Sequence, residues 1–169
     1  NFLILIFLAI FLNACGFHLR GNYHFPPNFQ KIYIDYAQPY DTFISKLKHS
    51  LESTGIKTVD QAQDALYILK INKIAQVPIL QSTNTTNQIS TYNLEYQVNF
   101  SLLDNKARII IPNQELISSV QYTISSSELF NNFGQPGFLN QLQNEIIFEL
   151  INRLSSKNTL KAINLNNAA

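Results

Sequence analysis

Cysteine is almost absent: Cys15 is the only one in 169 residues. A disulfide framework is therefore excluded, and so is any site built from paired thiolates. Histidine is nearly as scarce. None of His18, His24 and His49 has a cysteine or carboxylate partner at metal-ligand spacing. Charged residues make up 14% of the chain, against roughly 25% in a typical globular domain, and Asn, Gln, Ser and Thr fill the surface instead. A net charge of +1 supplies no global field of the kind that draws a protein to nucleic acid. Glycine numbers five, and Gly55, Gly134 and Gly137 make no phosphate cradle; the nucleophile signature G-x-S-x-G is missing too. Glu95 and Glu145 fall in polar patterns suited to solvated faces and nominate no acid–base pair. Nothing here points to catalysis, a metal or a cofactor.

What the chain does have begins with an apolar run, Phe2 to Leu12. It is too short for a membrane-spanning helix, which needs about 20 residues, and matches the h-region of a signal peptide. The basic stretch expected before it is missing, so Asn1 reads as a truncated start. Ala14 directly before Cys15, at the end of this run, is the pattern of a bacterial lipobox. Residues 1–14 are then a removed signal, and Cys15 carries acyl chains on its sulfur and its new amino group; the alternative is an ordinary secretory signal with an incidental cysteine. Two or three acyl chains anchor stably, because each buried CH₂ contributes about 0.8 kcal/mol. Residues 15–30 follow as a tether, with Pro26 and Pro27 holding it extended.

The remainder, residues 31–156, is one domain with twelve Phe and eight Tyr in the whole chain to build a core. Lys31 to Tyr36 alternates as a short strand. Asp41 is placed to cap a helix carrying Phe43, Ile44, Leu47 and Leu51, and Gly55 is placed to stop it. A turn spans Asp60 to Asp64. A long strand runs from Ala65 to about Gln81, with a bulge near Ile74 and Ala75 where its phase slips. Gln81 to Ser90 is expected as a polar hairpin loop. The clearest pattern comes next: Tyr92, Leu94, Tyr96, Val98, Phe100 and Leu102 on one face, Asn93, Glu95, Gln97, Asn99 and Ser101 on the other. Asp104 to Arg108 is a turn, and Leu116, Ser118, Val120, Tyr122 and Ile124 mark a third long strand. After a loop with Gly134, Pro136 and Gly137, a final helix carries Phe138, Leu139, Leu142, Ile146, Leu150 and Leu154. Residues 157–169 are expected to be disordered. The order β-α-β-β-β-α predicts an α+β two-layer sandwich, two helices on one face of a four-stranded mixed sheet, with one parallel pairing made through the helical crossover.

The segment Cys15-Gly16-Phe17-His18-Leu19-Arg20-Gly21, directly after the lipobox, resembles the start of the mature LptE family of lipopolysaccharide-assembly lipoproteins. In outline the resemblance extends to about residue 156 through the order of elements. It implies a two-layer α/β fold and a non-catalytic protein of the Gram-negative outer membrane. It also implies a plug seated inside the LptD barrel, the pair placing lipopolysaccharide in the outer leaflet. Cys15 matches the lipidation site, Gly16, Phe17, His18, Leu19, Arg20 and Gly21 match the opening motif, and Gly16 after the lipidated cysteine is consistent with sorting to the outer membrane.

Three candidate surfaces follow. The polar strand face of Asn93, Glu95, Gln97 and Asn99 is either plain solvent-facing surface or a match for the polar lumen of a barrel. Asn84 and Thr85, in the polar loop, are either flexible or a contact site. Lys70, Lys73, Lys106 and Arg108 are either solvated or placed to meet lipopolysaccharide phosphates by charge-assisted hydrogen bonds. The resemblance thins at this last point. Family members that bind lipopolysaccharide present basic residues near the first hairpin tip and ahead of the last helix. Here no Lys or Arg lies between Lys73 and Lys106 or between Arg108 and Arg153. The plug role carries over more fully than phosphate recognition by those loops. A second reading is a lipid-anchored periplasmic carrier that binds a small amphiphile between helices and sheet. It requires a sizeable apolar cavity where Tyr92, Tyr96, Phe100 and Phe138 would otherwise pack. A lipid-anchored hydrolase would need a nucleophile–base pair that the sequence does not offer.

Overall fold

The computed structural model describes residues 23, 25–26, 29–38, 41–84, 89–125 and 136–167. The lipobox, Cys15, the motif residues Gly16 to Gly21, Thr85 and the glycine at 134 lie outside the described residues.

The elements begin with β1 (Lys31–Asp35), α1 (Thr42–Ser53), β2 (Lys57–Val59) and a short 3-10 turn (Ala62–Asp64). Then come β3 (Tyr67–Thr83), β4 (Ile89–Asp104), β5 (Ile109–Ser125), α2 (Pro136–Leu154) and α3 (Lys157–Asn167). The sheet order is β2-β1-β3-β4-β5. β1 lies parallel to both neighbours, while β3, β4 and β5 form an antiparallel meander. This is the expected α+β mixed sheet with helices on one face, widened to five strands.

Local chemistry explains the helix ends. The Asp41 carboxylate accepts the Phe43 N–H at 2.7 Å and starts α1. At the other end Gly55 takes a φ of +89°, and Ile56 N–H reaches back to the Leu51 carbonyl at 3.2 Å. Such a left-handed stop suits glycine. α1 buries Phe43, Ile44, Leu47 and Leu51; α2 buries Leu142, Ile146, Ile147, Leu150, Ile151 and Leu154. Against them lie Ile32, Leu69, Tyr96, Val98, Phe100 and Leu102. Each such side chain contributes about 1.5–3 kcal/mol on leaving water, so the helix–sheet interface is the main source of stability.

Five details differ from the sequence expectation. β2 is an extra strand: Lys57 N–H donates to the Gln30 carbonyl at 2.8 Å, which fastens three residues to the outside of β1. The bulge in β3 sits between Ile71 and Lys73, just ahead of Ile74 and Ala75. The two ends of the expected hairpin loop are strand, since β3 continues to Thr83 and β4 begins at Ile89, while residues 85–88 lie outside the described residues. Polar cross-strand contacts such as Thr83 with Ser90 (3.4 Å) extend the ladder without apolar residues. The end of the tether belongs to the core, with Phe29 wholly buried, 4.9 Å from Tyr67 and 5.3 Å from Phe25 between ring centres. Finally, the segment expected to be disordered contains α3. The Ser156 hydroxyl oxygen accepts the Thr159 N–H at 3.3 Å as an N-cap, and Ile163 is wholly buried.

Candidate interaction face

Helices cover one side of the sheet and leave the other open. Along β4 the alternation places Asn93, Glu95, Gln97 and Asn99 on the open side, each half-buried by its neighbours. Cross-strand register gives their surroundings. Asn93 lies between Ile79 and Gln121, Glu95 between Val77 and Ser119, Gln97 between Ala75 and Ile117, and Asn99 between Lys73 and Glu115. Gln97 donates to Glu95 at 3.0 Å and Asn93 donates to its other oxygen at 3.5 Å, so the carboxylate is held within the row. The bulged Asn72 donates across β4 to Asn113 at 2.7 Å and Ser101 at 3.4 Å. Asn99 Oδ1 is buried without a hydrogen-bond partner. This face is a mixed lattice of amides and small aliphatic groups, with Ile117 52% exposed in its midst.

The hairpin end is closed by Asn84, whose side chain accepts the Ile89 N–H at 3.2 Å while its own N–H meets the Ile89 carbonyl at 2.9 Å. Lys70 and Lys73 are exposed on β3, and Lys106 is exposed in the turn after β4. Arg108 is differently placed. Its guanidinium lies 2.6 Å from the Asp104 carboxylate, which also accepts the Lys106 and Arg108 N–H groups at 2.9 and 2.8 Å. Burial alone would raise the Asp104 pKa. The Arg108 N–H, then its guanidinium and the Lys106 N–H, outweigh that and hold the carboxyl below the usual carboxylate range. Arg108 therefore locks a turn.

Sequence reasoning missed the polar contact between the helices. Lys46 on α1 donates to Asn140 at 2.6 Å and to the buried Gln143 of α2 at 2.7 Å, and Gln143 donates to the Tyr96 hydroxyl at 3.4 Å. Burial pushes the Tyr96 phenol up to about 12 against the lowering effect of Gln143. A lysine on an otherwise polar helix face gives no sign in sequence that it reaches a partner 94 residues away. Ser118 likewise donates to Glu145, and this bond, followed by one from Gln141, lowers the Glu145 pKa against a smaller effect of burial.

The family model for LptE, lipopolysaccharide-assembly, matches residues 29–157. The chain belongs to the LptE family. A curated LptE, the LPS-assembly lipoprotein of Pectobacterium atrosepticum, is 28% identical over 122 residues, which cover 68% of this chain and 60% of that protein. The chain thus matches well under two thirds of that relative's length. Among solved structures, the lipoprotein B of Nitrosomonas europaea has a TM-score of 0.61 at 21% identity, covering 83% of this chain and 90% of that one. A minor lipoprotein of Acinetobacter baumannii has a TM-score of 0.53 at 17% identity, covering 79% and 94%. These likenesses establish the fold. The LptE match takes in all five strands and α1 and α2, so the open face lies wholly within the family's domain.

Proposed function

We propose that this chain is a non-catalytic lipoprotein of lipopolysaccharide assembly, anchored to the outer membrane by lipids on Cys15 and seated within the LptD barrel as a plug and assembly factor. LptE membership over residues 29–157 is the observation that carries the reading. The open sheet face supports it in physical terms. Three strands of 16 or 17 residues leave one side uncovered by helix, and its central row is amides and a carboxylate rather than apolar groups. Such a surface complements the polar interior of an outer-membrane barrel. Asn93, Glu95, Gln97 and Asn99 would meet the barrel wall, and Asn84 would meet it at the hairpin end. Contact with lipopolysaccharide phosphates would fall to Lys70, Lys73 and Lys106, because Arg108 is held by Asp104. No described helix is long and apolar enough to cross a membrane.

The carrier reading loses its footing in the core, where Tyr96 and Phe100 fill the space between helices and sheet and Phe43 lies 5.7 Å from Tyr96. Photo-crosslinking from positions 93, 97 and 84 in living cells tests the plug. A covalent adduct with an outer-membrane barrel is expected from all three positions. Adducts with lipid alone, or none, would sink the plug reading.

A further inference from the structure

One row of cross-strand neighbours near the base of the sheet breaks the polar pattern of the open face. Val59, Tyr33, Ile68, Leu103 and Ile109, one from each strand, lie side by side across its full width. The inward neighbours Ile32, Ile34, Tyr67, Leu69 and Leu102 are buried under the helices, which fixes this row on the opposite side. Ile109 is 67% exposed, and Leu66, just before β3, is 41% exposed. Higher up, the same face is amide-rich; here an apolar band meets water.

The band has a basic border. Lys31 and Lys57 are register partners on the same face, and Lys106 stands in the turn between β4 and β5; all three are exposed. Among the described residues none of these lysines makes an ion pair, whereas Asp104 is matched by Arg108 and Asp60 by Lys48. Asp35, the acidic group on this face of β1, is beside Lys70 in the register. The exposed Asp64, in the 3-10 turn two residues before Leu66, is a second acidic group at this end; Lys31, Lys57, Lys70 and Lys106 stand against Asp35 and Asp64, and the local balance is positive.

The chain also enters the domain at this end. Leu66 N–H donates to the Lys31 carbonyl and Asn105 N–H to the Leu66 carbonyl, which gathers the start of β1 and the Lys106 turn together. Fully extended, the chain from Cys15 to Tyr23 spans at most about 28 Å. A lipid on Cys15 would keep Tyr23, which stacks through Phe25 and Phe29 onto Tyr67 at this end of the sheet, within that reach of the bilayer.

We infer that this basal band docks on the anionic phospholipid headgroups of the leaflet that holds the anchor. The aliphatic groups and Tyr33 sit at the headgroup boundary, and Lys31, Lys57 and Lys106 meet lipid phosphates. The inference rests on lipidation of Cys15 but not on a barrel partner. It divides the open face into an amide-rich upper zone and a lipid-facing lower one.

The absence of tryptophan from the chain supplies the test. Ile109→Trp places a single indole in the band. Ile117→Trp places one on the same face about 20 Å farther along the sheet, the six-residue span from Leu103 to Gln97 on β4, because two bulges shorten the path along β5. Each lipidated full-length variant is bound to vesicles of phosphatidylcholine and phosphatidylglycerol containing headgroup spin-labelled lipid. Quenching is expected for the Ile109→Trp indole and not for the Ile117→Trp indole. It is expected to be lost when Lys31, Lys57 and Lys106 are all changed to Gln, with the circular dichroism spectrum unchanged, and lost in phosphatidylcholine alone. Protein that binds the vesicles but shows equal or no quenching at the two positions overturns the docking surface and leaves the anchor standing. Protein that does not bind vesicles at all overturns the anchor and the docking surface together.

Discussion

Asp104 closes the β4–β5 turn with two backbone N–H groups and one guanidinium converging on a side chain only 7% exposed. Ala107, in the same turn, holds a φ of +61°, a left-handed conformation that side chains seldom adopt and that these bonds must maintain. Because the folded carboxyl is more acidic than the unfolded one, its contribution is fully present above the unfolded pKa of about 3.9 and is lost as pH falls through the folded value. Asp104→Asn is therefore expected to cost about 1–3 kcal/mol at neutral pH, with the gap to the parent protein narrowing at about pH 3. Urea titrations at the two pH values read this directly. An equal gap at both would mean that the charge does not matter. Asp104 and Arg108 were legible as turn residues. Their pairing was not, because a charge in a turn looks the same in sequence whether it is solvated or enclosed.

At the scale of elements, β4 shows why some patterns are readable. A strand with one buried and one amide face writes its period directly into the sequence, and Tyr92 to Leu102 do so without a break. β2 writes nothing: Lys57, Thr58 and Val59 are a strand only because Gln30 lies beside them. The bulge shifts the apolar phase only at the residues after it, which is why the slip shows at Ile74 while the irregularity lies between Ile71 and Lys73. α3 has three inward apolar residues, the half-buried Leu160 and Ala162 and the buried Ile163, too few and too small to make a visible stripe, although Ser156 was available as a cap signal. Ile163→Ala distinguishes a docked helix from a loose tail. A loss of about 2–4 kcal/mol is expected by chemical denaturation, as for other buried Ile-to-Ala changes. A loss near zero would mean that α3 contributes nothing to the fold.

For the whole molecule, the domain was legible as an α+β sandwich because every apolar stripe needed one partner layer. The polar row on the open face of the sheet was legible as an alternation. Its partners on β3 and β5 were not, since register depends on where bulges fall. Replacing Cys15 by Ala is expected to leave the domain folded and release it from the membrane fraction. Continued sedimentation with membranes in cells lacking the barrel would contradict lipidation at Cys15.

The place where the chain enters the domain has a mechanical side. Phe29 is sunk in the core, and the strand it leads into is interior to the sheet, flanked on both sides by parallel neighbours. With the proposed lipid on Cys15, a pull on it would load β1 along its length and set it in shear against β2 and β3 at once, instead of peeling a strand from an edge one hydrogen bond at a time. Hydrogen bonds loaded side by side share the force, so the tether is fastened where the sheet is hardest to unzip. In the proposed complex, tension arising while a barrel folds around the domain would be carried into the body of the sheet, and the long β3–β4–β5 ribbon, joined to β1 through β3, would keep its register under that load.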